Sequence, residues 1–481
     1  MNEIKITLSK DNLHIKIDCE DRQYYLDLKE AFNFPVAGYN FMPRYLNSGW
    51  DGKVSLFNSG NKTLPYGIFL DYLKFHRNKY KNIELNVDAK VKALFNGKHL
   101  KPKFDLKFYP YDYQEDCILT ILKHTKCIVK VATASGKSLI ISYVIKTLLE
   151  KYKNKQYLII VPTTNLVEQF YKDMIDYGID SEIIGRVYSD IKEPDKTIVV
   201  STWQSLMNNH DWLDRFYGVV VDECHITSSG QEVKKILTKA CNAVYRFGVT
   251  GTLPSTQLEL SNVKAFLGPV VKNYSAKELG DAGSVSQCRI IAYNLQHQQE
   301  FDGEYFEVRE KVFQSPARLS FIKDTINDIG MENILVLVNL VEKEGMVLRD
   351  YLKKHMPDRE VIFLWGDTKV KEREFHRKDF DDKKNKVVIS TWPLFKLGVN
   401  VPSLKYIMMA SPLKSKISVL QSVGRVLRKH FSKVDGAVVI DIIDQVPYLY
   451  SHGEIRGKYY KNEGFKTTEK KVCLPDGAYV V

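Results

Sequence analysis

Short apolar runs that alternate with helix-like segments dominate the sequence after Tyr109, and they constrain its fold more than any other feature. The runs are rich in valine and isoleucine and read CIVKVAT, YLIIVP, TIVVST and GVVVD, followed by NILVLVN, EVIFLW, KVVIST, YIMMAS and GAVVIDI. Continuous apolar strands of this kind are typical of parallel sheets that crossover helices cover on both faces. We therefore predict an α/β fold with two parallel-sheet domains in tandem, residues 106–280 and 281–447.

The first 105 residues have a different pattern, which predicts a small α+β domain. The segment EIKITLSKDNLHIKID alternates apolar and polar residues on both sides of a polar turn, as a β-hairpin does. We expect helices at about 23–32 and 66–80, and further strands at about 53–57 and 83–87. At the other end of the sequence, residues 448–481 are polar and basic, and we expect them to form a tail.

The composition is that of a folded protein with a positive net charge. Of the 481 residues, 44% are hydrophobic and 27% are charged, and the formal net charge is +12. Basic residues concentrate in residues 72–107, with 10 Lys and Arg against 3 Asp and Glu. A solvated basic face explains such a run as well as a nucleic acid does, so both alternatives stay open at this point.

Location and metal content are also constrained by the sequence. No stretch approaches the roughly 20 apolar residues of a membrane helix, and the N-terminus has no signal-peptide pattern, so we expect a cytoplasmic protein. The seven cysteines include no C-x-x-C pair. We therefore expect neither a disulfide framework nor a zinc site.

The segment VATASGKS, residues 131–138, lies between a buried run and a helical segment. Gly136 allows a close approach of the backbone to a phosphate, Lys137 supplies a positive charge, and Ser138 supplies a hydroxyl group for Mg²⁺. The position five residues before Gly136 holds Val131, where the common phosphate-loop pattern has glycine. On this segment alone a chance match stays open.

The segment VVVDECH, residues 219–225, supplies the acidic groups that such a loop needs. Asp222 at the end of an apolar strand can hold Mg²⁺ through water, and Glu223 can polarise the attacking water. Because parallel strands place their ligands at the carboxyl edge of the sheet, we expect these carboxylates beside the phosphate loop. An acidic strand end on the surface is the alternative.

The segment QSVGRVLRK, residues 421–429, presents cationic side chains near the end of the second α/β domain. Arg425 and Arg428 are three residues apart and are expected to share a helix face with Gln421. Guanidinium groups can stabilise charge at a γ-phosphate. A basic helix that binds nucleic-acid phosphates is the alternative, and both roles can coexist.

Eight ordered segments resemble the motifs of superfamily 2 helicases. ATASGKS, VVVDECH, GVTGTL and QSVGRVLRK resemble motifs I, II, III and VI, and DECH is similar to the DEAH box. VPTTNLVEQF and STWQSL resemble motif Ia and the next nucleic-acid-contacting segment, while NILVLVN and STWPLFKLGVNVP resemble motifs IV and V. The resemblance spans about residues 109–445.

This resemblance implies two RecA-like domains that use ATP and Mg²⁺. It assigns to the nucleotide Gln114, Thr133, Ala134, Ser135, Gly136, Lys137, Ser138, Gly398 and Asn400. It assigns to catalysis, besides Lys137, the residues Asp222, Glu223, Gln421, Arg425 and Arg428, with Ser138 and Asp222 as the metal-binding groups. It assigns to the coupling of hydrolysis with DNA movement Thr250, Gly251 and Thr252.

The same resemblance resolves the position of Val131 in the phosphate loop. Motif I of these helicases typically reads A/P-T-G-S-G-K-T, so the loop begins at Ala132 and Val131 is the last residue of a strand. The departure from the family is Ala134, where glycine is usual. A methyl group there crowds a phosphate or demands a changed backbone angle, which predicts a modest affinity for ATP.

A narrower resemblance links the chain to the UvsW type of bacteriophage recombination helicase. This resemblance rests on the leading hairpin, on the segment GYNFMPRYLNSGWDGKVSLFN and on the residues found in the motor segments. It implies a 3′-to-5′ DNA motor that remodels branched DNA, by fork regression, Holliday-junction branch migration and R-loop unwinding. If the chain is phage-encoded, its location is the cytoplasm of the bacterial host.

Candidate DNA contacts fall in two groups. In the motor, Thr163, Thr202 and Thr391 follow strands and can bind phosphates, although ordinary helix capping is the alternative for each. Trp203 follows Thr202 and either stacks on a base or packs in the core. In the N-terminal domain, basic and aromatic residues cluster around two glycines. These are Arg44, Tyr45, Trp50 and Lys53.

A loop of this second kind suits the branch point of DNA, where rings cap exposed bases and cations hold the arms. The alternative is that the two rings belong to the small domain's core. Within the enzyme class, a duplex translocase or a DExH RNA helicase remains open. A nucleic-acid-binding scaffold with an inactive motor is a third possibility.

Overall fold

The computed structural model describes residues 3–94, 100–207, 211–228, 230–396 and 401–475. Two compact units divide the chain between Asn273 and Tyr274, except that Ala132–Ser135 group with the second unit. Both units contain a large, mainly parallel sheet with helices. The α/β class predicted from the apolar runs is confirmed.

The first unit begins with a small α+β domain. Its elements are β1 (Glu3–Leu8), β2 (His14–Asp18), α1 (Arg22–Ala31), β3 (Asn33–Pro35), α2 (Pro43–Ser48), β4 (Lys53–Ser55), β5 (Thr63–Pro65), α3 (Phe69–Lys79), β6 (Glu84–Val87) and α4 (Ala89–Ala93). Four strands form a sheet in the order β5-β2-β1-β6, and β1 and β2 form the predicted antiparallel hairpin. Strands β3 and β4 pair separately as an antiparallel ribbon, and α2 lies in the connection between them.

The small domain has its own core, and it also contacts the parallel-sheet domain that follows. Tyr66, in a one-turn helix before α3, donates its hydroxyl to the Phe266 carbonyl at 2.9 Å. The backbone at Gly67 approaches Lys264 so closely that a Cβ would lie 1.7 Å from the Lys264 carbonyl oxygen. The Lys264 ammonium pairs with Asp71 at 3.0 Å. These contacts join the small domain to one helix, α10 (Gln257–Leu267).

The rest of the first unit is an eight-stranded sheet. Its strands are β7 (Lys126–Val131), β8 (Gln156–Val161), β9 (Ile184–Tyr188), β10 (Ile191–Lys192), β11 (Ile198–Thr202), β12 (Phe216–Asp222), β13 (Tyr245–Thr250) and β14 (Val270–Tyr274). Besides α10, its helices are α5 (Asp112–His124), α6 (Lys137–Lys151), α7 (Thr164–Asp176), α8 (Trp203–Leu206) and α9 (Gln231–Lys239). The strand order is β10-β9-β11-β8-β12-β13-β7-β14. Neighbouring strands run parallel from β9 to β7, and the two-residue strand β10 pairs antiparallel with β9.

The second unit contains a seven-stranded sheet. Its strands are β15 (Cys288–His297), β16 (Ile334–Val338), β17 (Glu360–Leu364), β18 (Lys386–Thr391), β19 (Tyr406–Met409), β20 (Ala437–Asp444) and β21 (Lys466–Leu474). Its helices are α11 (Ala276–Asp281), α12 (Tyr305–Gln314), α13 (Pro316–Asp328), α14 (Val347–His355), α15 (Val370–Asp382), α16 (Trp392–Lys396), α17 (Lys416–Val426) and α18 (Tyr450–Asn462), with a π-helix at Val341–Met346 before α14. The strand order is β17-β18-β16-β19-β20-β15-β21, and every pair is parallel.

The prediction that residues 448–481 form a tail is wrong for the part of that segment that the structure describes. Strand β21 adds to the sheet beside β15 along its full length, and Leu474 is buried. Helix α18 packs on β20, where Arg456 forms a fully buried ion pair with Asp441 at 2.7 Å. The polar sequence of β21 concealed this role, because an edge strand tolerates exposed charged side chains.

None of the described helices is both long and apolar enough to cross a membrane.

Candidate nucleotide and nucleic-acid sites

Three loops of the first unit meet at the carboxyl edge of its sheet. Strand β7 leads into the phosphate-loop segment, β12 ends at Asp222, and β13 ends at Thr250. These strands are neighbours in the order β12-β13-β7, and their parallel register places Asp222 opposite Val249 and Thr250 opposite Lys130. The prediction that the acidic segment lies beside the phosphate loop is therefore confirmed.

The phosphate loop contains two residues with left-handed backbone. Val131 is the last residue of β7, as the shifted register predicts. Ala134 has φ +69° and Gly136 has φ +68°, so the departure from glycine at residue 134 places an alanine in a conformation that costs roughly 1–2 kcal/mol. The positive φ of residue 136 favours glycine, and a Cβ there would also lie 2.6 Å from the side-chain amide nitrogen of Gln114.

Gln114 is buried at the start of α5, where its side chain has a structural partner. Its Oε1 atom accepts a hydrogen bond from the backbone N–H of Tyr111 at 2.9 Å as part of a capping box. The amide nitrogen faces Gly136. This arrangement supports the phosphate loop directly, and the reading of adenine by Gln114 stays a prediction.

Lys137 and Glu223 form the centre of the site. The Lys137 ammonium lies 3.0 Å from Glu223 Oε1, and both side chains are largely buried. Glu223 has φ +49°, a strained conformation for a non-glycine residue, and such strain is common at functional sites. Burial raises the pKa of the Glu223 carboxyl, but Lys137 and His225 outweigh burial and hold that pKa below its usual value. Glu223 is therefore an anion at neutral pH.

Motif III contacts the same carboxylate. The Thr250 hydroxyl lies 3.1 Å from Glu223 Oε2 and 3.0 Å from His225 Nδ1. The backbone N–H of Thr252 donates to the Thr250 hydroxyl oxygen at 3.3 Å. The loop that the sequence assigns to coupling therefore contacts the residue assigned to water activation, and His225 is a participant that the motif comparison did not single out.

Asp222 has the surroundings of a metal-binding carboxylate. Its side chain is buried, and its Oδ1 atom has no hydrogen-bond partner among the described residues. Burial and the neighbouring Glu223 carboxylate raise the pKa of Asp222, so an added cation would stabilise its ionised form. In the described segments, no group of three or more His, Cys, Asp or Glu residues could hold a metal ion by itself. This donor set fits Mg²⁺, which typically takes one or two protein ligands together with phosphates and water.

Ser138 has a partner that sequence reasoning missed. Its hydroxyl lies 2.8 Å from the Tyr177 hydroxyl, just beyond the end of α7. No sequence signal identifies Tyr177, because it belongs to no motif.

In the second unit, the segment QSVGRVLRK forms most of α17, but Arg428 does not share its helix. Helix α17 ends at Val426, so the prediction of one helical face for Arg425 and Arg428 is wrong. The buried Lys433 ammonium donates to the carbonyls of Val426 at 3.0 Å and of Arg428 at 2.8 Å. Ser286 donates its backbone N–H to the Leu427 carbonyl and its hydroxyl to the Arg428 carbonyl. These donors satisfy the carbonyls where the helix stops.

Gln421, Arg425 and Arg428 are nevertheless half-buried, whereas most residues between them are buried. The Arg425 guanidinium lies over the ring of Phe395, 4.8 Å from its centroid. Their assigned roles at the γ-phosphate stay predictions. Gly398 and Asn400 lie outside the described residues.

The three candidate threonines have different surroundings. Thr202 caps α8 by accepting from the Ser205 backbone N–H at 3.3 Å, so the alternative of helix capping is confirmed for it. Thr163 precedes α7 without such a bond, and its buried hydroxyl has no partner among the described residues. Thr391 is buried at the end of β18. Phosphate contacts by Thr163 and Thr391 stay predictions.

A tryptophan follows Thr202 and another follows Thr391, and both tryptophan side chains pack against a core. Trp392 is buried in the core of the second unit. Trp203 is partly buried and packs against the core of the first. Base stacking by Trp203 therefore has little structural support.

The basic and aromatic loop of the N-terminal domain lies outside that domain's core. The Arg44 guanidinium lies 5.1 Å from the centroid of the Trp50 ring, and Trp50 donates its Nε1–H to the Lys53 carbonyl at 2.8 Å. Tyr45 is exposed. Neither ring belongs to the core cluster of the domain, so the alternative in which they form that core is wrong.

Three family matches cover most of the chain. Residues 107–255 match the family described as "Type III restriction enzyme, res subunit", and residues 317–430 match "Helicase conserved C-terminal domain". Residues 3–87 match "DNA helicase UvsW, N-terminal". Together with the two parallel sheets and the Lys137, Asp222 and Glu223 site, these matches define an ATP-dependent helicase of superfamily 2 with two RecA-like domains.

Within that class the chain is similar to UvsW. The ATP-dependent DNA helicase UvsW of Enterobacteria phage T4 is 28% identical over 502 residues, covering 96% of this chain and 98% of the relative. The crystal structure of T4 UvsW aligns with 99% of this chain and 100% of its own at 25% identity, with a TM-score of 0.50. The "DNA 3'-5' translocase XPB2" of Sulfurisphaera tokodaii is 23% identical, covering 75% of this chain and 86% of the relative.

Proposed function

We propose that this chain is an ATP-dependent DNA helicase that remodels branched DNA, with 3′-to-5′ polarity, by fork regression, Holliday-junction branch migration and R-loop unwinding. The observation that carries the proposal is the likeness to T4 UvsW along nearly the whole of both chains, together with the N-terminal match to the same protein. We further propose that the protein acts in the cytoplasm of a bacterial host, since that relative belongs to a phage. DNA forks and junctions, and RNA–DNA hybrids within R-loops, are the proposed substrates.

The contacts in the first unit support a specific division of labour during hydrolysis. Lys137 binds the phosphates of ATP, and this draws its ammonium away from Glu223 Oε1. Because Lys137 is the main group that lowers the pKa of the Glu223 carboxyl, its withdrawal raises that pKa and makes Glu223 a better acceptor for a proton from the attacking water. Asp222 and Ser138 would hold Mg²⁺, and the ion would neutralise phosphate charge.

Motif III supports a route from hydrolysis to movement. Because Thr250 contacts Glu223 directly, a change at the carboxylate reaches the loop that contains Gly251 and Thr252. We assign Gln421 to the positioning of water, and Arg425 and Arg428 to stabilising charge at the γ-phosphate. The first 105 residues are assigned to junction binding through Arg44, Tyr45, Trp50 and Lys53, with phosphate contacts from Thr163, Thr202 and Thr391 in the motor.

The test compares strand displacement on forked DNA, blunt duplex DNA and duplex RNA of the same sequence. We expect the fork to be remodelled fastest, with hydrolysis stimulated by DNA. Glu223→Gln is expected to reduce hydrolysis at least about a hundredfold while DNA affinity stays within about twofold, because the amide cannot accept the proton. Glu232→Gln, an exposed position on α9, is the matched control and should retain activity.

Two outcomes would contradict the proposal: equal rates on all three substrates, or turnover retained in Glu223→Gln. A duplex translocase is the second candidate, favoured by the likeness to the translocase of Sulfurisphaera tokodaii. It predicts that the protein displaces a third strand from blunt duplex DNA without preferring forks. Faster unwinding of duplex RNA would instead identify an RNA helicase.

A further inference from the structure

The connection between β3 and β4 displays apolar side chains that the domain does not bury. Phe41 is 81% exposed and Leu46 is 66% exposed. Leu46 lies on α2, a helix with no buried residue, and Phe41 lies in the one-turn helix before it. Two large apolar side chains so close in sequence, neither of them buried by the domain, indicate a surface that a partner covers.

The connection has a fixed shape although it lies outside the core. The Tyr39 ring meets the Tyr45 ring edge-on, with centroids 4.9 Å apart, and a Cβ at Gly52 would lie 2.1 Å from the Tyr39 ring. The backbone N–H of Val36 donates to the Gly52 carbonyl at 2.9 Å and closes the base of the connection. Gly38 and Gly49 precede and follow this helical stretch with left-handed backbones, φ +70° and +65°. Phe41 and Leu46 are thus held out from the domain by structure.

The connection together with the first residue of β4 contains two cations, Arg44 and Lys53, against one acidic residue, Asp51. Arg44 lies between Phe41 and Leu46 in sequence, and the Trp50 indole donates to the backbone carbonyl of Lys53. The acidic residue of this connection, Asp51, accepts a hydrogen bond from the Lys53 backbone N–H at 3.0 Å. A surface that combines apolar tips, aromatic rings and cations is complementary to nucleic acid, where phosphates surround apolar base faces.

We propose that Phe41 and Leu46 form a wedge that packs against the bases exposed at the branch point of DNA, while Arg44 and Lys53 contact the flanking phosphates. This inference rests on the proposed function and names the contact by which the protein recognises the branch point of DNA. Apolar side chains inserted at a base step separate stacked bases, and this separation is least costly where the stack already ends. A branch point provides such an end, and a continuous duplex does not.

The test uses the full-length double variant Phe41→Ser/Leu46→Ser, with Leu26→Ser as the matched control. Leu26 is 51% exposed on α1 of the same domain, so its replacement removes a similar apolar surface elsewhere. Binding is measured without ATP, on forked DNA that carries 2-aminopurine at the branch and on single-stranded DNA of equal length. We expect the double variant to bind the fork at least about tenfold more weakly and to lose the 2-aminopurine fluorescence increase. Affinity for single strands and the DNA-stimulated ATPase should stay within about twofold.

An unchanged fork affinity together with an unchanged 2-aminopurine signal would overturn the wedge, as would an equal effect of Leu26→Ser. If the wild-type protein self-associates and the double variant does not, the surface is an interface between copies of the chain. The wedge is then overturned as well. The branch signal does not depend on strand displacement. A wild-type protein that shows this signal but fails to remodel forks would therefore contradict the proposed function alone.

Discussion

Ala134 shows how one residue sets the properties of the phosphate loop. The sequence identified the departure from glycine, and the structure gives the left-handed backbone on which it acts. The sequence could not reveal Tyr177, Lys433 or Ser286, because each acts through one or two hydrogen-bonding atoms and belongs to no motif. Sequence motifs identify the candidate ligand-binding residues, whereas only the folded structure identifies the residues that position them.

Replacing Ala134 by glycine should relieve the strain in the loop. We expect Ala134→Gly to stabilise the protein by about 1 kcal/mol in urea unfolding and to lower the KM for ATP, because glycine adopts positive φ without the steric cost of a Cβ. Ala132→Gly is the control. It lies in the same loop without a positive φ, so it should destabilise the protein. A lower stability in Ala134→Gly would show that the methyl group contributes packing that outweighs strain.

At the scale of elements, the sequence predicted strands where apolar residues are continuous and missed those that polar residues interrupt. Strand β13 contains the fully buried Arg246, whose guanidinium donates to backbone carbonyls, including that of Leu237 at 2.9 Å. Strand β21 is rich in lysine and threonine, and its long pairing with β15 is invisible to local patterns. Strand order also escaped prediction, since it depends on contacts between distant segments.

The last described elements should be essential for the second unit. A chain that ends at residue 447 loses β21 and leaves Asp441 as a buried carboxylate without Arg456, at a cost of roughly 3–5 kcal/mol. We expect this truncation to aggregate or to lose the cooperative unfolding of the second unit, measured by circular dichroism. Arg456→Met should destabilise in the same direction, whereas Glu469→Ala, exposed on β21, should not. A truncated protein with wild-type stability would contradict the assignment of this segment to the sheet.

The ion pair between Asp71 and Lys264 should hold the N-terminal domain against helix α10. We expect Asp71→Lys to repel Lys264 and to speed amide hydrogen exchange in residues 66–68 and in α10, measured by mass spectrometry. Adding Lys264→Asp should restore protection, because the pair is then complementary again. The exposed pair Glu232 and Lys235 on α9 provides the control, and its reversal should change nothing. Failure of the double reversal to restore protection would show that the ion pair does not hold the interface.

For the whole molecule, the buried ion pairs of Asp444 contribute to the response to acid. Asp444 contacts Arg318 at 2.9 Å and His297 at 3.0 Å. Burial raises the pKa of Asp444, but Arg318 and His297 outweigh burial and lower that pKa to about 2. A carboxyl whose folded pKa lies below its unfolded value stabilises the fold above the unfolded pKa, and this contribution disappears as pH falls through the folded pKa.

The free energy of unfolding should therefore fall by about 2 kcal/mol between about pH 4 and pH 2 on account of this group. Urea unfolding at a series of pH values measures it. Asp444→Asn should be less stable at neutral pH and should lack this part of the acid loss, whereas Asp324→Asn, 61% exposed, should follow the wild type. An identical pH profile in Asp444→Asn would show that other groups cause the acid response.

The place of β15 in its sheet has a consequence for how the protein is made. Strand β15 opens the second sheet in sequence, yet its two neighbours are β20 and β21. During synthesis β15 emerges long before either neighbour exists, and its apolar side chains stay without a partner while four other strands of the sheet emerge. Long-range parallel pairing of this kind is slow and exposed to aggregation. The interval between the synthesis of β15 and that of β20 is therefore when a chaperone would matter most to this protein.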